Sequence, residues 1–349
     1  MDLETQQIHP NKDKMENNKN IALSVKDLKT YFYTNNRCNK AVNGVSFDIE
    51  KGKTLCVVGE SGCGKSVTAS TIMQLLPTLS RIEDGEIIFY KDEEKINIEK
   101  LERNGKEMRE IRGSDIAMIF QDPMTALNPV YTVGFQIAEN LQYHTTMNKK
   151  EIREKTISLL DDMGIPLPEQ RVDEYPHSYS GGMRQRAMIA MAMACNPKIL
   201  IADEPTTALD VTIQAQIFEL MDNLKKNYNT AIMLITHDMG VVAELADNVA
   251  VMYMGNIVES GTADDVLRRP THPYTKALLD SVPVLGRGRN QDIKPIKGST
   301  PDAYDRPVGC QFAPRCNWAD ESCKIMPEIT NISTSHEVRC HKYKEIFQY

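Results

Sequence analysis

No stretch of the chain approaches 18 consecutive apolar residues, a length that excludes a membrane-spanning helix. The first twenty residues, MDLETQQIHPNKDKMENNKN, lack the apolar centre of a secretory signal peptide, so 1–20 reads as a disordered polar tail. Basic residues are outnumbered: 41 Lys and Arg against 48 Asp and Glu leave a net charge of -7 over 349 residues. That balance weighs against non-specific binding of nucleic acid, and none is expected as a partner. No internal repeat is present either. What remains is an ordinary chain, 41% hydrophobic, large enough for one large or two modest domains with a real core. It is expected in the cytosol, where membrane contact has to pass through a protein partner.

Cysteine occurs eight times, scattered at Cys38, Cys56, Cys63 and Cys195 but concentrated at Cys310, Cys316, Cys323 and Cys340. In a reducing compartment a cluster of this kind favours a metal over disulfides. The intervals of five, six and sixteen residues are looser than the paired CxxC of a zinc ribbon. Four thiolates suit either a [4Fe–4S] cluster or tetrahedral zinc. His336 and His341 flank the last cysteine and offer replacement ligands. The segment is too poor in apolar residues to make a good core by itself, and a metal would compensate.

From Ile21 onward short β-rich runs alternate with helical stretches, the rhythm of a sheet covered by helices. The runs TLCVVG, DIAMIF, KILIAD, AIMLITH and VAVMY read as buried strands. Helical patterning fills the seventy or so residues between the second and third runs, which suggests a helical insertion in an α/β core. After Pro270 the pattern weakens, and GRGRNQDIKPIKGSTPDAYDRPVG reads as a linker.

GESGCGKS, Gly59 to Ser66, follows one of these strands and precedes a helical run. Glycines in that context let backbone N–H groups of the loop surround phosphate oxygens, and the helix adds its positive N-terminus. Lys65 is expected to reach the β- and γ-phosphates, and Ser66 to hold Mg2+. KILIADEP carries Asp203 to the end of a buried strand, suited to water-mediated Mg2+ binding, with Glu204 next to it to polarise an attacking water. A second glycine-opened helix start, YSGGM at Tyr179 to Met183, makes another anion-binding N-terminus. One polypeptide needs one phosphate cradle, so the second is expected to serve a nucleotide held by another subunit.

In this order and spacing the residues resemble an ABC-type ATPase across roughly 22–260. The resemblance implies a Walker A loop at Gly59, Ser61, Gly62, Cys63, Gly64, Lys65 and Ser66, continued by Val67, and a Q-loop at Gln121 that shares Mg2+ with Ser66. It places the signature at Ser180, Gly181, Gly182 and Met183, the D-loop at Asp210 and the switch histidine at His237. Asp203 and Glu204 end Walker B, making Glu204, His237 and Gln121 the catalytic set; Tyr31 would stack on adenine. The signature reads YSGGM where the family usually has LSGGQ, which leaves the phosphate-contacting part intact. The implied fold is a P-loop NTPase: a RecA-like core with an antiparallel β-region over 21–265, a helical subdomain at about 122–190, and a C-terminal extension, 266–349, carrying the linker and cysteines.

RRPTHPYTKALLDSVP and the cysteine tail resemble the oligopeptide and dipeptide permease branch of ABC importers, whose similar tail ligates an iron–sulfur cluster. That resemblance implies an ATP-hydrolysing subunit on the cytoplasmic face of the membrane, powering peptide import. It implies as partners a second, related ATPase chain in a heterodimer, two transmembrane permease subunits and an extracytoplasmic substrate-binding protein. Nickel or glutathione remains open as cargo. A soluble ABC ATPase acting on DNA or ribosomes would show a long coiled-coil insertion or a tandem second cassette, and neither is in the sequence. A redox-sensing module built on the tail is compatible with an intact Glu204.

Overall fold

The computed structural model describes residues 20–34, 37–92, 94–207, 209–282 and 296–346. The polar tail and most of the Gly-rich part of the expected linker lie outside these residues.

Two long strands, β1 (Ile21–Thr34) and β2 (Arg37–Glu50), form an antiparallel pair, followed by β3 (Thr54–Val58). β4 (Ser80–Lys91) pairs with β1, and β5 (Glu94–Asn97) with β4, which completes a four-stranded antiparallel sheet. The remaining strands are β6 (Ile116–Ile119), β7 (Ile199–Asp203), β8 (Ala231–Thr236), β9 (Asn248–Tyr253), β10 (Asn256–Thr262), β11 (Thr330–Asn331) and β12 (Glu337–Val338). With β3 they make an eight-stranded sheet in the order β11-β12-β10-β9-β3-β8-β7-β6. The five apolar runs of the sequence are its five parallel strands, β9, β3, β8, β7 and β6. Both faces of a parallel sheet are covered, which is why these runs are apolar without interruption.

Alternation along each strand divides the core in two. Cys56, Val58, Leu200, Ala202, Ile232 and Leu234 face one cluster, and Leu55, Val57, Ile199, Ile201, Met233 and Ile235 face the other. Helix α1 (Lys65–Ile72) leaves the end of β3. Between β6 and β7 run α2 (Val133–His144), α3 (Lys149–Asp162) and α4 (Gly181–Met193). α3 starts at Asn148, whose side chain accepts from the Lys150 and Glu151 N–H groups while Glu151 accepts from the Asn148 N–H, a reciprocal cap. α5 (Val211–Tyr228) and α6 (Met239–Leu245) follow β7 and β8, and α7 (Pro273–Asp280) opens the C-terminal extension.

The extension does not rely on a core of its own. β12 adds to the edge of the ATPase sheet by pairing with β10, Glu259 opposite Val338. Phe312 is buried in the main core, its ring 5.3 Å from those of both Tyr253 and Tyr274. Glu259, fully buried, accepts hydrogen bonds from the N–H groups of Thr271 and His272, and from the Thr271 hydroxyl. His336 completes that cluster at 2.8 Å. His336 is therefore a pin between extension and sheet and not a replacement ligand in the cysteine cluster.

Candidate functional site

β3 is buried along its whole length, and its end delivers the phosphate loop at a fixed point. Two glycines of that loop admit no side chain. A Cβ on Gly59 (φ +152°) would stand 2.2 Å from the Met252 carbonyl oxygen, and one on Gly64 (φ +107°) 2.3 Å from that of Ala41. Gly64 is the N-cap residue of α1 in a left-handed conformation, which glycine alone adopts at no steric cost. Lys65 is 4% exposed. Its Nζ donates to the carbonyls of Gly59 at 2.7 Å and Glu60 at 3.1 Å, so the cation is held within the loop.

Ser66 Oγ donates to Asp203 Oδ1 at 2.9 Å. Burial pushes the Asp203 carboxyl above its usual range, against the opposing pull of the Ser66 hydrogen bond. A hydroxyl and a buried carboxylate in contact beside a lysine form an oxygen donor set that suits Mg2+, which prefers few protein ligands together with substrate phosphates. Glu204, the next residue, has φ +45°, a conformation that a non-glycine residue keeps only where its surroundings hold it. Its N–H donates to the Ile235 carbonyl at 3.0 Å. Its carboxylate accepts from Gln121 Nε2 at 3.0 Å and from Thr207 Oγ1 at 3.1 Å, and His237 Nδ1 lies 3.3 Å away. Four loops after four neighbouring strands thus bring Lys65, Gln121, Glu204 and His237 to one end of the sheet.

A cavity of about 950 Å³ opens there, lined by Gly59, Ser61, Gly62, Gly64, Lys65, Ser66, Val67, Gln121, Glu204 and His237. Cys63 is not among its lining residues and is buried beneath the loop, where desolvation pushes its thiol up. Of the two adjacent aromatics in β1, Phe32 lines the cavity and Tyr31 does not. Alternation along β1 puts the two on opposite faces, and the Tyr31 hydroxyl donates to Asn43 Oδ1 at 2.7 Å. The expectation for Tyr31 thus finds no support in the geometry. Thr34, Asn39 and Ala41 from the first hairpin also line the cavity, as do Leu278, Ser281, Gly298, Tyr304 and Arg315 from the extension. Leu278 and Ser281 belong to the RRPTHPYTKALLDSVP stretch; the others lie in no motif singled out above.

The second glycine-opened turn lies apart. Ser180 caps α4, its Oγ accepting from the Met183 N–H at 3.3 Å, and Ser180 and Gly181 are exposed outside the cavity lining. Gly182 packs on Ile213, 3.0 Å from where its Cβ would be. Asp210 caps α5, accepting from the Ile213 N–H at 3.0 Å. α4 and α5 thus present the signature and the D-loop side by side.

Cys310, Cys316, Cys323 and Cys340 converge on one small pocket with His341. All four are free thiols. Burial pushes Cys310 and Cys316 up, and Cys340 up to about 12. Backbone N–H groups of Trp318 and Lys342 point at the sulfurs of Cys316 and Cys340, each at 3.4 Å. Among the described residues, however, no group of three or more His, Cys, Asp or Glu side chains is arranged to hold a metal ion. The expected metal centre therefore has convergent thiols but no preset ligand geometry.

Two family models match the chain, ABC transporter over residues 42–207 and the C-terminal region of oligopeptide/dipeptide transporters over 258–323. The dipeptide transport ATP-binding protein DppD of Bacillus subtilis is 52% identical over 321 residues, 91% of this chain and 94% of that protein. The oligopeptide transport ATP-binding protein AppD of the same organism is 50% identical, covering 93% and 97%. Among solved structures, the dimeric ATP-binding cassette MJ0796 in a post-hydrolysis state with ADP and Pi matches with a TM-score of 0.60. It is 26% identical and covers 69% of this chain and 98% of its own. Sharing half its residues with such proteins along nine-tenths of its length, and bringing Lys65, Gln121, Glu204 and His237 around one cavity, the chain belongs to the ATP-binding subunits of ABC transporters, in the oligopeptide/dipeptide group.

Proposed function

We propose that this chain hydrolyses ATP to drive peptide import through a membrane complex. The observation that carries the catalytic part is the Glu204 carboxylate, held by Gln121, Thr207 and His237 at the rim of the phosphate loop. Bound ATP with Mg2+ would supply the transferable phosphoryl group and the charge that neutralises it. The N–H groups of the loop and Lys65 bind phosphate oxygens, Ser66, Asp203 and Gln121 are the groups for Mg2+, and Glu204 orients a water and takes its proton. His237 stands on the other carboxylate oxygen, where it fixes the orientation of Glu204. Phe32, on the cavity wall, takes the stacking role for the base.

Ser180, exposed and outside the cavity, is suited to complete the site of a second ATPase chain, with Asp210 beside it at the interface. A related but different chain is the partner in this reading, and two permease subunits carry the cargo. No helix among the described residues is long and apolar enough to cross a membrane. In this reading the chain works from the cytoplasmic face, where its ATP is, with an extracytoplasmic binding protein feeding the complex. Peptide as cargo rests on the relatives' names and on the C-terminal match. In the reconstituted complex, ATPase activity should rise several-fold on adding binding protein loaded with di- or oligopeptide. Stimulation by nickel or glutathione and not by peptide would reassign the cargo.

The four thiols form the ligand set for a [4Fe–4S] cluster in this proposal. Support comes from their convergence on one pocket and from the N–H groups aimed at two of the sulfurs, since hydrogen bonds to sulfur tune such centres. A single zinc, with Zn–S bonds of about 2.3 Å, needs the four sulfurs drawn more tightly together than a four-iron cluster does. Anaerobically purified protein should be brown, absorb broadly at roughly 400 nm and contain about four irons per chain. Any one Cys→Ser substitution at these positions should bleach it. Stoichiometric zinc without iron would replace the cluster by a structural zinc site.

A further inference from the structure

Glu60 is the second residue of the phosphate loop, and none of the roles above uses its side chain. The extension grips it from outside. Arg315 Nη1 and Nη2 donate to the two Glu60 carboxylate oxygens at 2.6 and 2.9 Å, a two-point ion pair with the arginine side chain 4% exposed. Thr300 Oγ1 reaches the same carboxylate at 3.3 Å, and the Glu60 N–H donates to the Tyr274 hydroxyl at 2.8 Å. All three partners lie in the C-terminal extension. From inside, the Glu60 carbonyl is one of the two oxygens on which Lys65 rests. The peptide that supports the phosphate-binding cation is therefore fixed by residues some 214 to 255 positions away in sequence.

Arg315 is itself part of the cysteine segment and is held by that segment, the linker and β9 together. It immediately precedes Cys316, its Nε donates to the Lys297 carbonyl at 3.0 Å, and its guanidinium lies 5.9 Å from the ring centres of Tyr253 and Phe312. Phe312 also lines the pocket of the four thiols. A two-point arginine–carboxylate pair whose arginine is buried transmits position well, because both partners are planar and each bond constrains the other.

We propose that Arg315 is a positioning residue of the phosphate loop, through which the conformation of the four-cysteine segment sets the affinity for nucleotide. This rests on the nucleotide-site reading above and extends it: the extension becomes part of the ATP site's support. Coupling between two sites is reciprocal, so nucleotide must tighten the cysteine segment by the factor by which that segment tightens nucleotide.

The test uses the full chain and a non-hydrolysable ATP analogue with Mg2+, reading analogue affinity and hydrogen exchange over residues 59–66 and 310–323. In the wild type the analogue should slow exchange in both segments. Glu60→Gln keeps the side chain's shape and leaves the extension's own contacts in place. It should raise the analogue's Kd about tenfold, within the usual range of coupling between sites, and abolish the nucleotide-dependent protection of 310–323. Arg315→Lys should act in the same direction, and the double variant should be no worse than the more affected single one. A purely structural role would raise exchange over 310–323 without nucleotide yet leave the analogue's effect intact. Wild-type affinity in both variants, or strictly additive losses in the double variant, overturns the inference alone. A wild-type chain that binds no analogue overturns the nucleotide reading with it.

Discussion

Glu204→Gln should bind ATP with near wild-type affinity and hydrolyse it at least about a hundredfold more slowly, since loss of a positioned base costs on the order of two to four powers of ten. The substitution is close to isosteric, so the contacts that set φ +45° at this residue and the N–H bond to Ile235 survive. What disappears is the proton acceptor. Gln121 Nε2, Thr207 Oγ1 and His237 surround the carboxylate from its sides, and none of them is a carboxylate that can replace it. The neighbouring Asp203 is already engaged by Ser66 and is 6% exposed. Single-turnover hydrolysis in the assembled complex, beside an equilibrium binding measurement, separates the two effects. Hydrolysis near the wild-type rate would move the base to another residue.

The parts of this site that are legible in the sequence are those that the backbone supplies. A buried strand, glycines and a helix start define a phosphate cradle in a few consecutive residues, and Asp203 and Glu204 follow an apolar run of the same kind. Five apolar runs become five parallel strands for one physical reason, burial on both faces. Side chains that enter the cavity from remote segments carry no such local mark. Phe32 and Tyr31 are adjacent aromatics in one strand, and only the alternation of the observed β1 decides which faces the cavity. Arg315 sits among cysteines that draw attention to metals, while its partner is a loop glutamate 255 positions earlier. His336 beside Cys340 suggests a ligand by proximity in sequence, yet its ring is committed to Glu259. The extension likewise lacks a core only when taken alone; β12 and Phe312 lend it that of the ATPase sheet.

Lys65→Ala should remove most nucleotide binding, raising the Kd for ATP by two powers of ten or more, on the order of the effect of deleting one preorganised charge contact in a site shielded from water. Lys65 is 4% exposed and its ammonium is held by two carbonyls of its own loop, so its position is set before a ligand arrives and little ordering remains to be done on binding. Alanine also frees the Gly59 and Glu60 carbonyls that the ammonium holds, so the melting temperature of the free chain should fall by a few degrees, as expected for about 1 to 3 kcal/mol. The loss of affinity is the larger effect, and a variant that remains folded by circular dichroism isolates it. A graded comparison identifies the base contact in the same titration. Phe32→Ala should weaken ATP by about tenfold, in keeping with about one to three kcal/mol for stacking a base on an aromatic ring, whereas Tyr31→Ala, which removes a ring that lies off the cavity lining and bonds Asn43, should cost much less. Calorimetry on the full chain reads all three. Unchanged affinity in Lys65→Ala would contradict the assignment of the phosphate loop, and a loss in Tyr31→Ala that exceeds that of Phe32→Ala would return the base contact to Tyr31.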